Sequence, residues 1–329
     1  MKQLQLSILD LAIVIEGGNA NSAIQRTVEA ARHAEQLGFK RIWLAEHHNM
    51  ENIASSATSV LIGHVAGKTN HIRVGSGGIM LPNHSPLAIA EQFGTLESLY
   101  PGRIDLGLGR APGTDQLTAM ALRRSNDAVY NFPAEIRQLQ TYFSKENQQS
   151  RVRAFPGEGS DIPIWILGSS TDSAYLAANM GLPYAFAAHF APAQFRTAIN
   201  IYRSHFKPSA QLQQPYVLAC VNVIAADTDK EAHFLATSLF RMFTGIVTNM
   251  RRPMQPPVAS MEPYWNDEIK AAISQMLACT FIGGKEKVKE ELLAFVEETQ
   301  IDELMTTTNI YDEKARWYSM DILKEVMKG

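Results

Sequence analysis

Two adjacent histidines end the stretch of sequence with the clearest chemical potential. Residues 41–48, Arg-Ile-Trp-Leu-Ala-Glu-His-His, begin as a β-prone apolar run and end in a carboxylate and two imidazoles. Successive side chains of a strand point to opposite faces, so His47 and His48 cannot both enter the same cavity. An imidazole gives and takes protons near neutral pH, although a solvated strand end would carry the same residues without chemistry. We therefore predict a strand tip where one histidine moves protons and the other supports it.

Other residues able to do chemistry follow further predicted strands, and in a barrel they would gather at the same end. They are Asp10, Asn83, His84, Arg110, Gly168, Ser169, Ser170 and His189. A metal site is the obvious competitor for such a set. The first strand has no His-x-His and the later strands lack acidic residues, so we expect no metal ion.

A glycine-rich loop over residues 107–113 contains the lone Arg110. The loop imitates a dinucleotide-binding fingerprint, but its last glycine comes one position late and Pro112 interrupts the turn. Arg110 is better suited to grip a phosphate together with residues 168–170, whose small side chains expose backbone N–H groups before a helix. A surface arginine and a simple helix cap are the plain alternatives.

Gly77 and Gly78 lie inside the third predicted strand. Glycine weakens a strand and usually marks a bulge or a backbone that is pressed close to a ligand. A flat ring lying against these two residues is the natural candidate.

The elements that must position these residues alternate regularly along the 329-residue chain. Each predicted strand is followed by a helix, and the strands cover residues 4–9, 41–46, 72–81, 103–108, 162–167, 183–188, 216–225 and 303–310. Eight such units predict an α/β fold, a (β/α)8 TIM barrel, in one domain over residues 1–329. An irregular insertion from Thr244 to Gly284 follows the seventh unit.

Residues with known preferences mark several helix ends. Asn21 or Ser22 is expected to cap the first helix and Ser85 the third, whereas Gly38 and Gly181 are expected to close their helices. The helix after the fourth strand is predicted over residues 127–145.

The composition excludes several classes of protein. A net charge of -3 without long charged runs offers no nucleic-acid footprint and no polybasic membrane patch. Cys220 and Cys279 are far apart, which excludes a disulfide framework and fits a cytoplasmic protein. No apolar run approaches the ~18 residues that would suggest a membrane span.

Several motifs together resemble those of the bacterial luciferase-like flavin-dependent monooxygenases. They occur in the family's order over more than half of the chain: Gly38-Phe39, Trp43 to His48, Gly77 to Pro82, Pro101-Gly102-Arg103, Gly107 to Arg110, Gly168-Ser169-Ser170 and Gly181-Leu182-Pro183. Gly109 stands where the light-emitting subunit has a reactive cysteine, so light emission is not expected.

The resemblance implies a monooxygenase that binds FMN, reduced by a separate flavin reductase, and reacts it with O2. His47 is similar to the family's catalytic histidine, and Gly77-Gly78 to its strained, often cis, peptide beneath the flavin ring. Arg110, Gly168, Ser169 and Ser170 would hold the phosphate. Asp10, His84 and His189, at other strand ends, are expected to line the pocket of a small organic substrate whose identity stays open.

The sequence leaves two alternative functions open and predicts an oligomeric state. The chain could store flavin without turnover, or it could use a deazaflavin as an oxidoreductase. Apolar residues on more than one side of the second and third helices predict a homodimer: Ala54, Ala57, Val60, Ile62, Ala66, Ala88, Ile89 and Phe93.

Overall fold

Eight parallel strands close into a barrel, as the alternation of strands and helices predicts. The structure is a computed structural model that describes residues 4–122 and 128–328. Neighbouring strands pair in the order β1-β2-β3-β4-β5-β6-β7-β9 and back to β1. The strands are β1 (Gln5–Asp10), β2 (Arg41–Leu44), β3 (Arg73–Met80), β4 (Ile104–Gly109), β5 (Ile164–Gly168), β6 (Tyr184–Phe186), β7 (Val217–Ala225), β8 (Thr280–Gly283) and β9 (Glu303–Thr307). The (β/α)8 barrel is confirmed.

Helices cover the outside of the barrel. They are α1 (Ala20–Gln36), α2 (Thr58–Ala66), α3 (Pro86–Leu99), α4 (Gln116–Ala121), α5 (Ala128–Phe143), α6 (Thr171–Met180), α7 (Phe195–His205), α8 (Asp229–Val247), α9 (Asp267–Met276), α10 (Lys285–Thr299) and α11 (Glu313–Val326). The predicted start of one helix at Asp127 lies outside the described residues. Within the described ranges, no helix is long and apolar enough to cross a membrane.

The insertion after the seventh unit is more regular than predicted. It contains α9 and the short strand β8, which pairs with the last four residues of β7. β7 is nine residues long and extends beyond the part that closes the barrel, so its free edge accepts another strand. A four-residue strand is too short to show an alternating pattern in the sequence, which is why it was missed.

Two predicted helix caps need correction. The N-cap of α1 is Asn19, whose side chain accepts from Ser22 N while Ser22 Oγ bonds back to Asn19 N. Ser85 occupies the N-cap position of α3 but makes no capping hydrogen bond with its side chain. Gly38 and Gly181 have φ of 70° and 63°, the left-handed conformation that glycine adopts freely, as predicted for helix ends.

The barrel interior contains a layer of buried ion pairs and, nearer the C-terminal mouth, a layer of apolar side chains. At the N-terminal ends of the strands, the buried Arg41 bonds to Asp105 at 2.6 Å and to Glu303 at 2.8 Å. Above it, buried apolar side chains fill the lumen, including Leu9, Trp43, Trp165, Leu218 and Met305. A filled lumen leaves chemistry only at the C-terminal mouth, where the predicted site residues lie.

Candidate active site at the C-terminal mouth of the barrel

Glu46, just beyond the end of β2, binds two histidines. Its Oε1 lies 2.8 Å from His48 Nε2 and 2.9 Å from His84 Nε2. The backbone N–H of Met80 donates to Oε2 at 3.1 Å. A carboxylate only accepts hydrogen bonds, so both histidines carry a proton on Nε2. Glu46 thereby joins the tips of β2 and β3.

The Glu46 carboxylate is held in its charged form. Its side chain is almost fully buried, and burial alone would raise its pKa. Hydrogen bonds from His48, His84 and the Met80 backbone outweigh the burial and lower the pKa of Glu46 to about 2. The negative charge is therefore permanent at neutral pH.

Residues 45–48 lie beyond the end of β2, so strand alternation does not set the directions of their side chains, contrary to the prediction. His47 nevertheless has a hydrogen-bond partner of its own. Its Nδ1 lies 3.3 Å from the carbonyl oxygen of Gly113, which can only accept, so Nδ1 carries the proton. Nε2 is then the basic atom of the ring. Burial lowers the pKa of His47, and the nearby charge of Arg251 lowers it further. His47 is thus poised as a neutral imidazole that can accept a proton.

His189 follows β6 and lies near His47. Burial lowers the pKa of His189 to about 4, although a hydrogen bond with the backbone of Cys220 opposes the shift. Its Nδ1 is buried without a hydrogen-bond partner among the described residues. The ring is therefore neutral at physiological pH.

Asp10 is engaged by protein groups on both of its oxygens. Ala12 N and Thr27 Oγ1 donate to Oδ1 at 2.6 and 2.8 Å, and Arg316 donates to Oδ2. Burial would raise its pKa, but Arg316 and the other donors lower it. Direct contact with a substrate, which the sequence predicts, would require Arg316 to move.

The peptide bond between Gly77 and Gly78 is cis, as predicted. The structure also supplies another reason for glycine here. A Cβ on Gly77 would lie 2.7 Å from Leu9 Cδ1, and one on Gly78 would lie 2.8 Å from the carbonyl oxygen of Gly107. Packing inside the barrel therefore requires both glycines, independently of any ring lying against them.

Arg110 lies beside the N-terminus of α6. It follows β4, and residues 168–170 follow the neighbouring β5, so strand pairing brings them together. Arg110 Nη2 lies 3.4 Å from Asp172 Oδ2 in the first turn of α6. A Cβ on Gly168 would lie 1.9 Å from Ser173 Oγ, so the turn requires glycine. A guanidinium beside a helix N-terminus suits a phosphate.

Comparison with known protein families shows which family the chain belongs to. The family model described as luciferase-like monooxygenase matches residues 5–303. The chain belongs to the luciferase-like monooxygenase family. Such enzymes are oxidoreductases that incorporate oxygen, which the chain's relatives and structural neighbours support.

Individual relatives of this luciferase-like monooxygenase agree. It is 49% identical to a luciferase-like monooxygenase of Escherichia coli K12, over 99% of this chain and 97% of the relative. It is 32% identical to the N-acetyl-S-alkylcysteine monooxygenase of Bacillus subtilis, over 98% of both. Among solved structures, apo-MsnO8 matches with a TM-score of 0.87 and 32% identity over 98% of both chains.

More distant structures share the fold with different cofactors. The oxygenating constituent of 3,6-diketocamphane monooxygenase from Pseudomonas putida, in complex with FMN, has a TM-score of 0.72 at 17% identity and covers 98% of this chain and 97% of its own. An F420-dependent secondary alcohol dehydrogenase has a TM-score of 0.68 at 15% identity over 98% of both chains. Fold alone does not choose between these cofactors.

The sequence did not predict that the insertion contacts the loops at the mouth of the barrel. Met254 N donates to Val14 O at 2.8 Å, and Glu16 N donates to Met254 O at 2.7 Å. Arg251 Nη1 lies 3.2 Å from the sulfur of Met50, two residues after His48. The adjacent arginines 251 and 252 were the available signal, but nothing local relates them to β1 or β2.

Glu46, His48 and His84 could also hold a metal ion, because their ligand atoms lie within 4.8 Å of one another. The two histidine Nε2 atoms already donate to the carboxylate, so hydrogen bonding accounts for the cluster without an ion. That there is no metal remains a prediction.

Proposed function

We propose that this protein binds FMN, reduced by a separate reductase, and uses O2 to oxygenate a small organic substrate. The observation that carries the proposal is the position of Arg110 beside the first turn of α6, at the mouth that also holds His47. Bound reduced FMN would supply the electrons with which O2 is activated. The protein's own residues would hold the cofactor, orient it and move protons.

The phosphate would lie between the Arg110 guanidinium and residues 168–170. Ser170 makes no capping hydrogen bond with its side chain, so it is free of that role at the N-terminus of α6. Two hydrogen bonds hold the turn in place, because Ser173 Oγ and Tyr184 OH both donate to Ser170 O, at 2.6 and 3.2 Å. A rigid turn with a nearby cation fits a terminal phosphate monoester.

His47 would move protons at Nε2 while its Nδ1 remains bonded to Gly113. Its lowered pKa favours the neutral, proton-accepting form at neutral pH. His84 and His189 would line the substrate pocket, with His84 oriented by Glu46. Asp10 would contribute to the wall through its ion pair with Arg316.

The two alternatives differ in how well they are supported. Family membership argues against a flavin carrier without turnover. A deazaflavin keeps support from the F420-dependent neighbours, which share the barrel. Both cofactors carry phosphate, so the grip at Arg110 is compatible with either.

The whole chain, residues 1–329, would act as one domain in a cytoplasmic homodimer. Of the apolar residues that suggested the dimer, Ile62, Ala66, Ile89 and Phe93 belong to the core of the barrel unit. Val60 on α2 remains 69% exposed, and Leu99 at the end of α3 is 62% exposed. These two side chains now support the proposed contact.

Titration with FMN, riboflavin and F420 tests the cofactor. FMN should bind more tightly than riboflavin, because only FMN has the phosphate. Oxygen uptake with NADH, a flavin reductase and candidate substrates then tests turnover, with product identified by mass. N-acetyl-S-alkylcysteines are the first substrates to try, since a relative is named for them. Tight binding of F420 without FMN binding would contradict the proposal.

A further inference from the structure

A cavity of about 210 Å³ lies between α8 and the segment that precedes α9. Two arginines, Arg241 and Arg252, line it together with three methionines and the ring of a tyrosine: Met242, Met250, Met254 and Tyr264. Its lining contains no aspartate or glutamate. The cavity thus combines positive charge with soft apolar surface.

The wall of this cavity is tied to the active site. Met254 is fixed by backbone hydrogen bonds to Val14 and Glu16, in the loop that follows β1. Arg251, next to Arg252 in the chain, contacts the sulfur of Met50. Its charge adds to the effect of burial, which lowers the pKa of His47. A molecule held here would contact Met254, and through it the segment that is bonded to the loop after β1.

One hydrogen bond and one ring contact fix the guanidinium of Arg241. Nη1 donates to Pro256 O at 2.7 Å, and the group lies 5.0 Å from the centre of the Tyr264 ring. Its Nε is buried without a hydrogen-bond partner within the described part of the chain. The Nε–Nη2 edge is the one that binds a carboxylate with two parallel hydrogen bonds. An unpartnered buried donor on that edge points to a missing acceptor.

Arg252 adds a second positive charge at the exposed side of the cavity. In the described ranges, neither Arg241 nor Arg252 forms a salt bridge with a carboxylate of this protein. Arginines in other parts of the molecule commonly do, for example Arg196 with Glu298. Within the described ranges, the charge in the cavity is therefore not balanced by a carboxylate of the protein.

We propose that this cavity binds the carboxylate of a small organic acid, with the acid's apolar body against the methionines. The carboxylate would lie on the Nε–Nη2 edge of Arg241 and be further neutralised by Arg252. That the bound acid is the molecule oxygenated rests on the proposed function. The binding itself does not, because it needs no flavin.

The binding can be measured on the flavin-free full-length protein with hexanoate as the probe. Hexanamide has the same size without the charge and serves as the matched ligand. Ligand-observed NMR or calorimetry should show saturable binding of hexanoate at least about tenfold tighter than that of hexanamide, as expected for one charge-assisted pair. Equal affinity for the two probes would overturn the proposal.

Variants locate the site. Arg252→Gln should weaken hexanoate binding about tenfold or more, whereas Arg151→Gln, at an exposed arginine outside the cavity, should leave it unchanged. Arg241→Lys keeps the charge but removes the two-donor edge, and should also weaken binding. Equal affinity of the Arg252 and Arg151 variants for hexanoate would contradict the assignment.

The arginines could instead serve the phosphate of the flavin, and a further titration separates the two sources of anion. Under our proposal Arg252→Gln leaves FMN and riboflavin affinities unchanged. A loss of FMN affinity without a loss of riboflavin affinity would assign the cavity to the phosphate and overturn the proposal. Absence of any flavin binding in the wild type would refute the proposed function and leave the hexanoate result standing.

Discussion

His47 and His48 are neighbours in the chain but have unrelated hydrogen-bond partners. Nδ1 of His47 lies 3.3 Å from the Gly113 carbonyl oxygen, and Nε2 of His48 lies 2.8 Å from Glu46 Oε1. The first leaves a basic nitrogen on His47 for chemistry, whereas the second commits His48 to a buried carboxylate. The proposed proton-transfer group and a side chain held by Glu46 are thus neighbours in one dipeptide.

Replacing His47 by Ala should lower turnover by about 10²–10⁴, the loss expected for a general acid–base group. FMN affinity and thermal stability should change little, because the hydrogen bond of His47 to a described residue is long, at 3.3 Å. Coupled oxygen uptake with a known substrate measures the effect. His71→Ala, at an exposed histidine, is the control. Full turnover in the His47 variant would exclude this role.

Replacing Glu46 by Gln should destabilise the protein by about 1.5–3 kcal/mol, because hydrogen bonds to a charged acceptor are lost. An amide also presents an N–H group toward histidines that already donate. Urea unfolding at pH 7 gives the difference, with Glu51→Gln at an exposed site as the control. A stability equal to that of the control would show that the cluster is not structural.

Glu46 should also shape the stability of the wild type in acid. Its pKa is lowered from 4.5 to about 2 on folding, so its contribution is complete above pH 4.5. As the pH falls from 4.5 towards 2, the unfolded chain takes up a proton that the folded protein does not, and stability is lost. Unfolding free energies across this range should fall less steeply for Glu46→Gln than for the wild type. Parallel curves would contradict the assignment.

Replacing Arg110 by Ala should weaken FMN binding by about 10- to 100-fold, through loss of a charge-assisted contact with the phosphate. Riboflavin affinity should not change, since riboflavin has no phosphate. Flavin fluorescence titrations of this variant and of Arg137→Ala, an exposed arginine on α5, provide the comparison. An equal loss for FMN and riboflavin would point to a folding defect, and no loss would remove Arg110 from the site.

Replacing Val60 by Glu should convert the proposed dimer to a monomer, because a charge would be buried at the contact. Light scattering at micromolar concentration measures the mass. Val152→Glu alters another exposed valine, which is 50% exposed, and should leave the dimer intact. A monomeric wild type would count against the dimer itself.

The sequence by itself determined the order of elements, the barrel and the strand ends at which the candidate site residues lie. Alternation along strands and helical periodicity are local properties, so they can be read without tertiary contacts. The proximity of Arg110 to residues 168–170 could also be predicted, because consecutive strands of a barrel are neighbours.

Only the tertiary structure decided how the site residues are paired. Asp10 is engaged by Arg316, which is 306 positions away, and Glu46 by His84 from another strand. Arg251 reaches Met50 across 201 positions. Such contacts depend on closure of the barrel and on the path of the insertion, and residue spacing carries no record of either.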